Sequence, residues 1–165
     1  MIGKEAFKEL FDKHFDGVRR FIFYRCGDTE VASDMAQEVF MKVWEKRGQL
    51  HDEKLKSLVY KMAKDSVIGN YRKGVCRMHF EQNMMQEGGE AGESPEEEMM
   101  FVEMASLYAR ALEEMPEGQR VVFLMSRNEG LKYQEIAECL GISVKAVEKR
   151  MGGALQFLKK VLLAK

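Results

Sequence analysis

Between residues 81 and 103 the chain carries eight glutamates and not one lysine or arginine. The middle of this stretch, Glu87-Gly-Gly-Glu-Ala-Gly-Glu-Ser-Pro-Glu96, offers too little apolar surface to bury, which predicts a flexible acidic linker. A chain of 165 residues interrupted in this way is expected to build two small domains, 1–80 and 104–165, joined by the linker 81–103. The charge follows the same division: +4 over residues 1–80, −8 over the connector and +3 over residues 104–165. A net charge of −1 for the whole chain conceals two basic blocks, and a surface that meets nucleic acid depends on local charge.

Both blocks read as helical. Only 2 prolines occur, beside 13 methionines and abundant Leu, Glu, Lys and Arg, and no alternating strand pattern competes, so the fold class is all-α. In the first block Phe7, Leu10, Phe11, Phe15, Val18, Phe21 and Ile22 keep i, i+3, i+4 spacing up to a stop at Gly27. Asp28 or Thr29 is placed to cap a second helix, whose stripe is Val31, Met35, Val39, Phe40 and Val43 and which ends at Gly48. Leu55, Leu58, Val59, Met62 and Ala63 mark a third, weakening toward Tyr71 and Arg72. The second block starts at Ser94-Pro95 with three glutamates, a helix-start signature, and continues through Met100, Met104, Leu107, Ala111 and Leu112. Pro116 opens a further helix that breaks at Glu129-Gly130.

Several function classes are excluded. No apolar run approaches the roughly 20 residues of a membrane span, and Met1-Ile-Gly-Lys-Glu5 leads into no secretory core, so direct membrane insertion is not expected. Cys26, Cys76 and Cys139 are odd in number and far apart, which argues against a disulfide framework or zinc site and for a reducing cytoplasm. His14, His51 and His79 lack ligand spacing, and the glycines at 88, 89 and 92 sit among carboxylates that repel phosphate. No catalytic residue, metal, cofactor or small-molecule substrate is therefore predicted, and the chain does not read as an enzyme.

The most specific motif is Tyr133-Gln-Glu-Ile-Ala-Glu-Cys-Leu-Gly-Ile-Ser-Val-Lys-Ala-Val147, a helix-turn-helix pattern. Two helices crossing steeply need a small residue at the contact, Ala137, and a left-handed turn, Gly141. Ile136, Leu140, Ile142, Val147 and Met151 supply the apolar pins, and Ser143 caps the second helix. That helix would enter a major groove N-terminus first, presenting Ser143, Val144, Lys145, Glu148, Lys149 and, further round, Arg150.

With the second block running from Leu112-Glu-Glu-Met-Pro-Glu-Gly-Gln-Arg-Val-Val to Val147-Glu-Lys-Arg150, and the first carrying Asp34-Met-Ala-Gln-Glu-Val-Phe-Met-Lys-Val-Trp-Glu-Lys46, Tyr60-Lys-Met-Ala-Lys64 and Tyr71-Arg-Lys73, the sequence resembles the sigma-70 family of RNA polymerase sigma factors. The resemblance is to the small extracytoplasmic-function class, built from regions two and four. It implies core RNA polymerase, promoter DNA and an anti-sigma factor as partners, with no bond-making chemistry by the chain itself. It implies that Asp34, Gln37, Glu38, Met41, Lys42 and Glu45 dock on the polymerase; the acidic ridge Asp34, Glu38 and Glu45 in any case suits a basic partner. It assigns Gln49, His51, Tyr60, Lys61, Lys64, Arg72 and Lys73 to the minus-ten element, with basic side chains for a single-strand backbone and Tyr60 or Tyr71 as a stacking face. It assigns the helix-turn-helix to the minus-thirty-five element. Asp65, Gly69, Ala146 and Gly152-Gly153 depart from the family's habit, the first by adding a carboxylate to a helix expected to face DNA. The alternative is a helix-turn-helix regulator independent of polymerase, with the first block as a sensor or dimerisation domain.

Overall fold

The computed structural model describes residues 2–51, 54–72 and 94–163, with the backbone alone at 70–72. Among them are seven α-helices and no strand: α1 (Lys4–Cys26), α2 (Thr29–Glu45), α3 (Leu55–Arg72), α4 (Pro95–Glu114), α5 (Glu117–Glu129), α6 (Tyr133–Leu140) and α7 (Val144–Leu162). A 3-10 turn, Arg47–Gln49, follows α2, which ends at Glu45 rather than running on to Gly48. The helix start at Ser94-Pro95 is borne out, so α4 begins inside the acidic stretch 81–103. Its preceding residues, 81–93, lie outside the described residues, as do Lys73 and Cys76.

The boundaries follow local chemistry. Gly27 adopts φ 73°, a left-handed C-cap, and its N–H donates to the Phe23 carbonyl at 2.7 Å. Asp28 Oδ1 accepts from the Val31 N–H at 3.1 Å, and Ser94 and Ser143 do the same for α4 and α7. Gly141, at φ 67°, makes the turn between α6 and α7.

The first half is a three-helix unit of α1, α2 and α3. An aromatic ladder joins α1 to α2: Phe11 stacks on Phe15 at 4.7 Å and meets Phe40 edge-on at 5.2 Å, and Phe7 meets Trp44 at 5.0 Å. Gly17 of α1 faces Tyr60 of α3; a Cβ there would stand 2.7 Å from the phenol oxygen, so the absent side chain sets how closely these helices approach. In the second half α5 and α7 pack together, with α4 and α6 beside them.

The two halves are in contact. α5 lies on α1 and α6 on α3. At the centre of the junction is Arg120 of α5, with no solvent exposure. Its Nε donates to the Tyr24 carbonyl at 2.7 Å and its Nη2 to Arg25 at 3.0 Å, both at the C-terminal end of α1. Its Nη1 lies 3.2 and 3.3 Å from the carbonyls of Leu112 and Met115, at the C-terminal end of α4. The last carbonyls of a helix have no partner within it and carry its negative dipole end, so one planar cation satisfies two helix termini at once. Two ion pairs cross the same junction, Arg20–Glu129 at 2.9 Å and Arg25–Glu117 at 2.7 Å. Each has one partner substantially exposed, so each contributes at most about 1 kcal/mol.

Arg120→Met is expected to destabilise the chain by about 3–5 kcal/mol, because buried carbonyls lose their donor. Arg120→Lys should recover little, since an ammonium lacks the fork. Denaturant melts of the three proteins check this, and equal midpoints would remove Arg120 from the centre of the fold. Gly152 and Gly153 sit in an uninterrupted α7. A Cβ on Gly152 meets open space, so Gly152→Ala should gain about 0.5–1 kcal/mol. A Cβ on Gly153 would stand 2.5 Å from the Gln119 amide nitrogen. Gly153→Ala should therefore be close to neutral alone and stabilising in a Gln119→Ala background, a coupling that a double-mutant cycle measures.

Candidate nucleic-acid interface and docking surfaces

The helix-turn-helix forms as its pins require. Ile136 and Ala137 of α6 are buried with Val147 and Met151 of α7, and the Ile142 N–H donates to the Ala137 carbonyl at 3.1 Å across the turn. This fixes the outer side of α7. Val144, Lys145, Glu148 and Lys149 are exposed there, with Lys145, Glu148 and Lys149 at i, i+3 and i+4 on one face. Ser143 is exposed too, but its hydroxyl accepts from the Ala146 N–H, so its first duty is the cap. Arg150 points elsewhere. It is half-buried, and its guanidinium would lie 3.6 Å from a Cβ on Gly118.

The α2 surface is equally ordered. Its buried side is Ala32, Met35, Ala36, Val39, Phe40 and Val43. The opposite side leaves Asp34, Gln37, Glu38, Met41, Lys42 and Glu45 all exposed at i, i+3, i+4, i+7, i+8 and i+11, one continuous face. Met41 is 62% exposed at its centre. Beside this face an open groove of about 880 Å³ runs between α1 and α2, its floor formed by Phe7, Phe11, Phe40, Met41 and Trp44. Lys4 and Lys8 rim it on the α1 side, Gln37 and Glu45 on the α2 side. The Arg47 guanidinium lies 3.9 Å from the centre of the Trp44 ring and donates to the Trp44 carbonyl at 2.8 Å, which holds the indole in place. Sequence reading found the α2 face but not the groove, because the groove needs the register of α1 against α2; the i, i+4 pair Phe7 and Phe11 was its visible trace.

Gln49 and His51 are exposed after α2, and Lys61 and Lys64 on α3. Tyr60 is not: it is 6% exposed, meets Phe21 edge-on at 5.3 Å and lies against Cys139 of α6. Burial pushes its phenol well above the usual tyrosine range, and it likewise raises the Cys139 thiol. In this arrangement Tyr60 presents no ring face to a base. The side chains of Tyr71 and Arg72 lie outside the described residues. Lys61, Lys64 and Arg150 line one cleft of about 320 Å³ between the halves, with Glu138 as its carboxylate and Arg25 at its wall. The residues assigned to two separate DNA elements thus meet across one junction, which no sequence signal announced. Arg120 was the other omission; an arginine directly before the apolar run Val121–Met125 was the clue.

Among the described residues no group of His, Cys, Asp and Glu is arranged to hold a metal, and no helix is long and apolar enough to cross a membrane.

Comparison with known proteins identifies the family and the fold. Residues 10–75 match the model of sigma-70 region 2, and residues 106–158 that of sigma-70 region 4. The RNA polymerase sigma factor SigZ of Bacillus subtilis is 26% identical over 162 residues, covering 94% of this chain and 86% of its own. The ferric citrate uptake sigma factor FecI of Escherichia coli is 27% identical over 155 residues, 92% of this chain and 87% of its own. Among solved structures, the sigma factor RpoE of Bartonella quintana in complex with the anti-sigma factor NepR superimposes with a TM-score of 0.63 at 17% identity, over 96% of this chain and 98% of that one. CnrH in complex with the cytosolic domain of CnrY gives 0.66 at 21% identity, over 99% and 91%. Identities this low speak for a shared fold. Two family regions in the family's order, with relatives matched nearly end to end, establish the kinship: the chain is a member of the sigma-70 family, in the extracytoplasmic-function class.

Proposed function

We propose that the chain binds core RNA polymerase, directs it to specific promoters and assists their opening in the cytoplasm, making no bond itself. The observation that carries this is the pairing of two surfaces on one chain: a continuous six-residue face on α2 beside an apolar groove, and a helix-turn-helix whose outer side carries Lys145 and Lys149. The α2 face, Asp34 to Glu45, suits a basic helical partner by charge, and the groove suits an apolar side chain from that partner. Gln49, His51, Lys61, Lys64, Arg72 and Lys73 serve the melted minus-ten strand. Ser143, Val144, Lys145, Glu148 and Lys149 serve the minus-thirty-five duplex, Arg150 joining them once freed from the junction. Residues 1–80 and 104–165 act as the two working units and 81–103 as the span between them. The solved neighbours are bound to NepR and CnrY; by the same kinship this chain takes an anti-sigma factor.

The junction bears on the mechanism. α6 covers Tyr60 of α3, so single-strand capture at Tyr60 requires α6 to move away. Initiation then includes a step in which the contacts of Arg20, Arg25 and Arg120 are exchanged for contacts with polymerase and promoter.

Asp34→Lys with Glu38→Lys should weaken core-polymerase binding by more than about tenfold while leaving the melt unchanged, since both side chains are exposed. Binding within twofold of wild type would remove the α2 face from the interface. Lys149→Ala should weaken all minus-thirty-five-dependent promoters alike and lower the salt slope of promoter binding by about one. In a Cys26→Ser/Cys76→Ser background, alkylation of Cys139 should be slow in the free protein and about tenfold faster with core polymerase and promoter DNA, because the thiol leaves the burial that shields it and raises its pKa, a gain that outweighs the lost thiolate-favouring contacts of Lys56 and Tyr60. An unchanged rate would mean that the halves stay together.

A further inference from the structure

The first ten residues of α4, 95–104, are all exposed. This is roughly 15 Å of helix standing clear of the body. It is not a frayed end. Ser94 Oγ caps it through the Glu97 N–H at 3.1 Å, Pro95 occupies its first turn, and Glu96, Glu97 and Glu98 stand at the positive end of its dipole. It nevertheless carries Met99, Met100, Phe101, Val102 and Met104, each between 38% and 66% exposed. Met100, Phe101 and Met104 continue the stripe of Leu107, Tyr108 and Ala111 at i, i+1, i+4, i+7, i+8 and i+11. Further along, that stripe packs inward, where Ala111 is buried and Tyr108 meets Phe123 at 6.4 Å. The core face of α4 therefore runs on for more than a turn beyond the helices that cover it. This overhang precedes the region-four match, which begins at residue 106.

We infer that the exposed start of α4 is a docking surface for a short amphipathic helix of a partner protein, with an apolar face flanked by lysine and arginine. Charge selects this occupant. Glu96, Glu97, Glu98 and Glu103 surround the apolar side chains, and no lysine or arginine lies between residues 81 and 109. A second copy meeting this face about a two-fold axis would set the same carboxylates against each other. An anionic lipid surface would meet them with its own charge. A basic helix neutralises them, and three methionines with flexible, polarisable side chains suit a groove-free helix-on-helix contact. The inference does not depend on the α2 face or on α7.

The test uses the full-length protein and a labelled 14-residue helical peptide of leucine and lysine, beside a counterpart with glutamate for lysine, both read by fluorescence anisotropy. The leucine–lysine peptide should bind at least about tenfold more tightly than its counterpart. Met100→Ser/Phe101→Ser/Met104→Ser should weaken it by about tenfold or more with far-UV circular dichroism unchanged, as loss of a central apolar cluster does. Glu96→Lys/Glu97→Lys/Glu98→Lys should reverse the preference between the peptides. Equal binding by the triple serine variant, or equal affinity for the two peptides, overturns the proposal. So does a wild-type dimer in sedimentation that the serine variant abolishes, which would make the occupant a second copy. Failure of wild type to bind either peptide, with a lowered melt of the serine variant, also overturns it and assigns the face to the chain's own residues 73–93.

Discussion

One guanidinium holds the architecture in register. Arg120 starts from the second half, reaches the final carbonyls of α1 and α4, and is wholly removed from water. Helix ends buried without partners are costly, and two converge here. The glycine cap at Gly27 satisfies the Phe23 carbonyl, and the Tyr24 and Arg25 carbonyls take a donor from the other half. Because the fork is rigid and planar, it sets a geometry as well as an energy: α5 must lie across the end of α1, and α6 then falls on α3. The surrounding contacts, Arg20–Glu129 and Arg25–Glu117, are partly solvated and add modestly.

What was legible in the sequence was what is local. The caps at Asp28, Ser94 and Ser143, the stop at Gly27, the turn at Gly141 and the limits of α6 rest on residues within a few positions of each other. On α2 the acidic ridge Asp34, Glu38 and Glu45 followed from period, while Gln37, Met41 and Lys42 came with the family resemblance. Contacts between residues some ninety positions apart have no such signature, and the junction is made of them. Tyr60 illustrates the difference. The resemblance offered it as a stacking face; the approach of Gly17 and Cys139, from helices on either side, buries it. Gly152 and Gly153 are another case. Leu155, Leu158 and Leu162 keep helical phase across the pair, but the neighbour that distinguishes the two glycines, Gln119, belongs to α5.

The exposed surfaces divide by chemistry. The α2 side couples acid to an aromatic-floored groove, the outer side of α7 is lysine-bearing, and the start of α4 joins methionine to glutamate. The α2 side and the start of α4 both suit basic partners and α7 suits an acidic one, so it is their places on three different helices that let one chain of 165 residues support several contacts.

The span between Arg120 and its acceptors also has a consequence during synthesis. Its partners Tyr24 and Arg25 precede it by 96 and 95 positions. A ribosome adding about 5–20 residues per second leaves the end of α1 without that donor for roughly 5–20 s. During that interval the first half emerges with water at those carbonyls, and its own core, the aromatic ladder of Phe7, Phe11, Phe15, Phe40 and Trp44 together with the aliphatic contacts of α1, α2 and α3, has to hold it together without the second half. The end of α1 and the side of α3 that α6 covers thus face water until the second half arrives to close the junction over them.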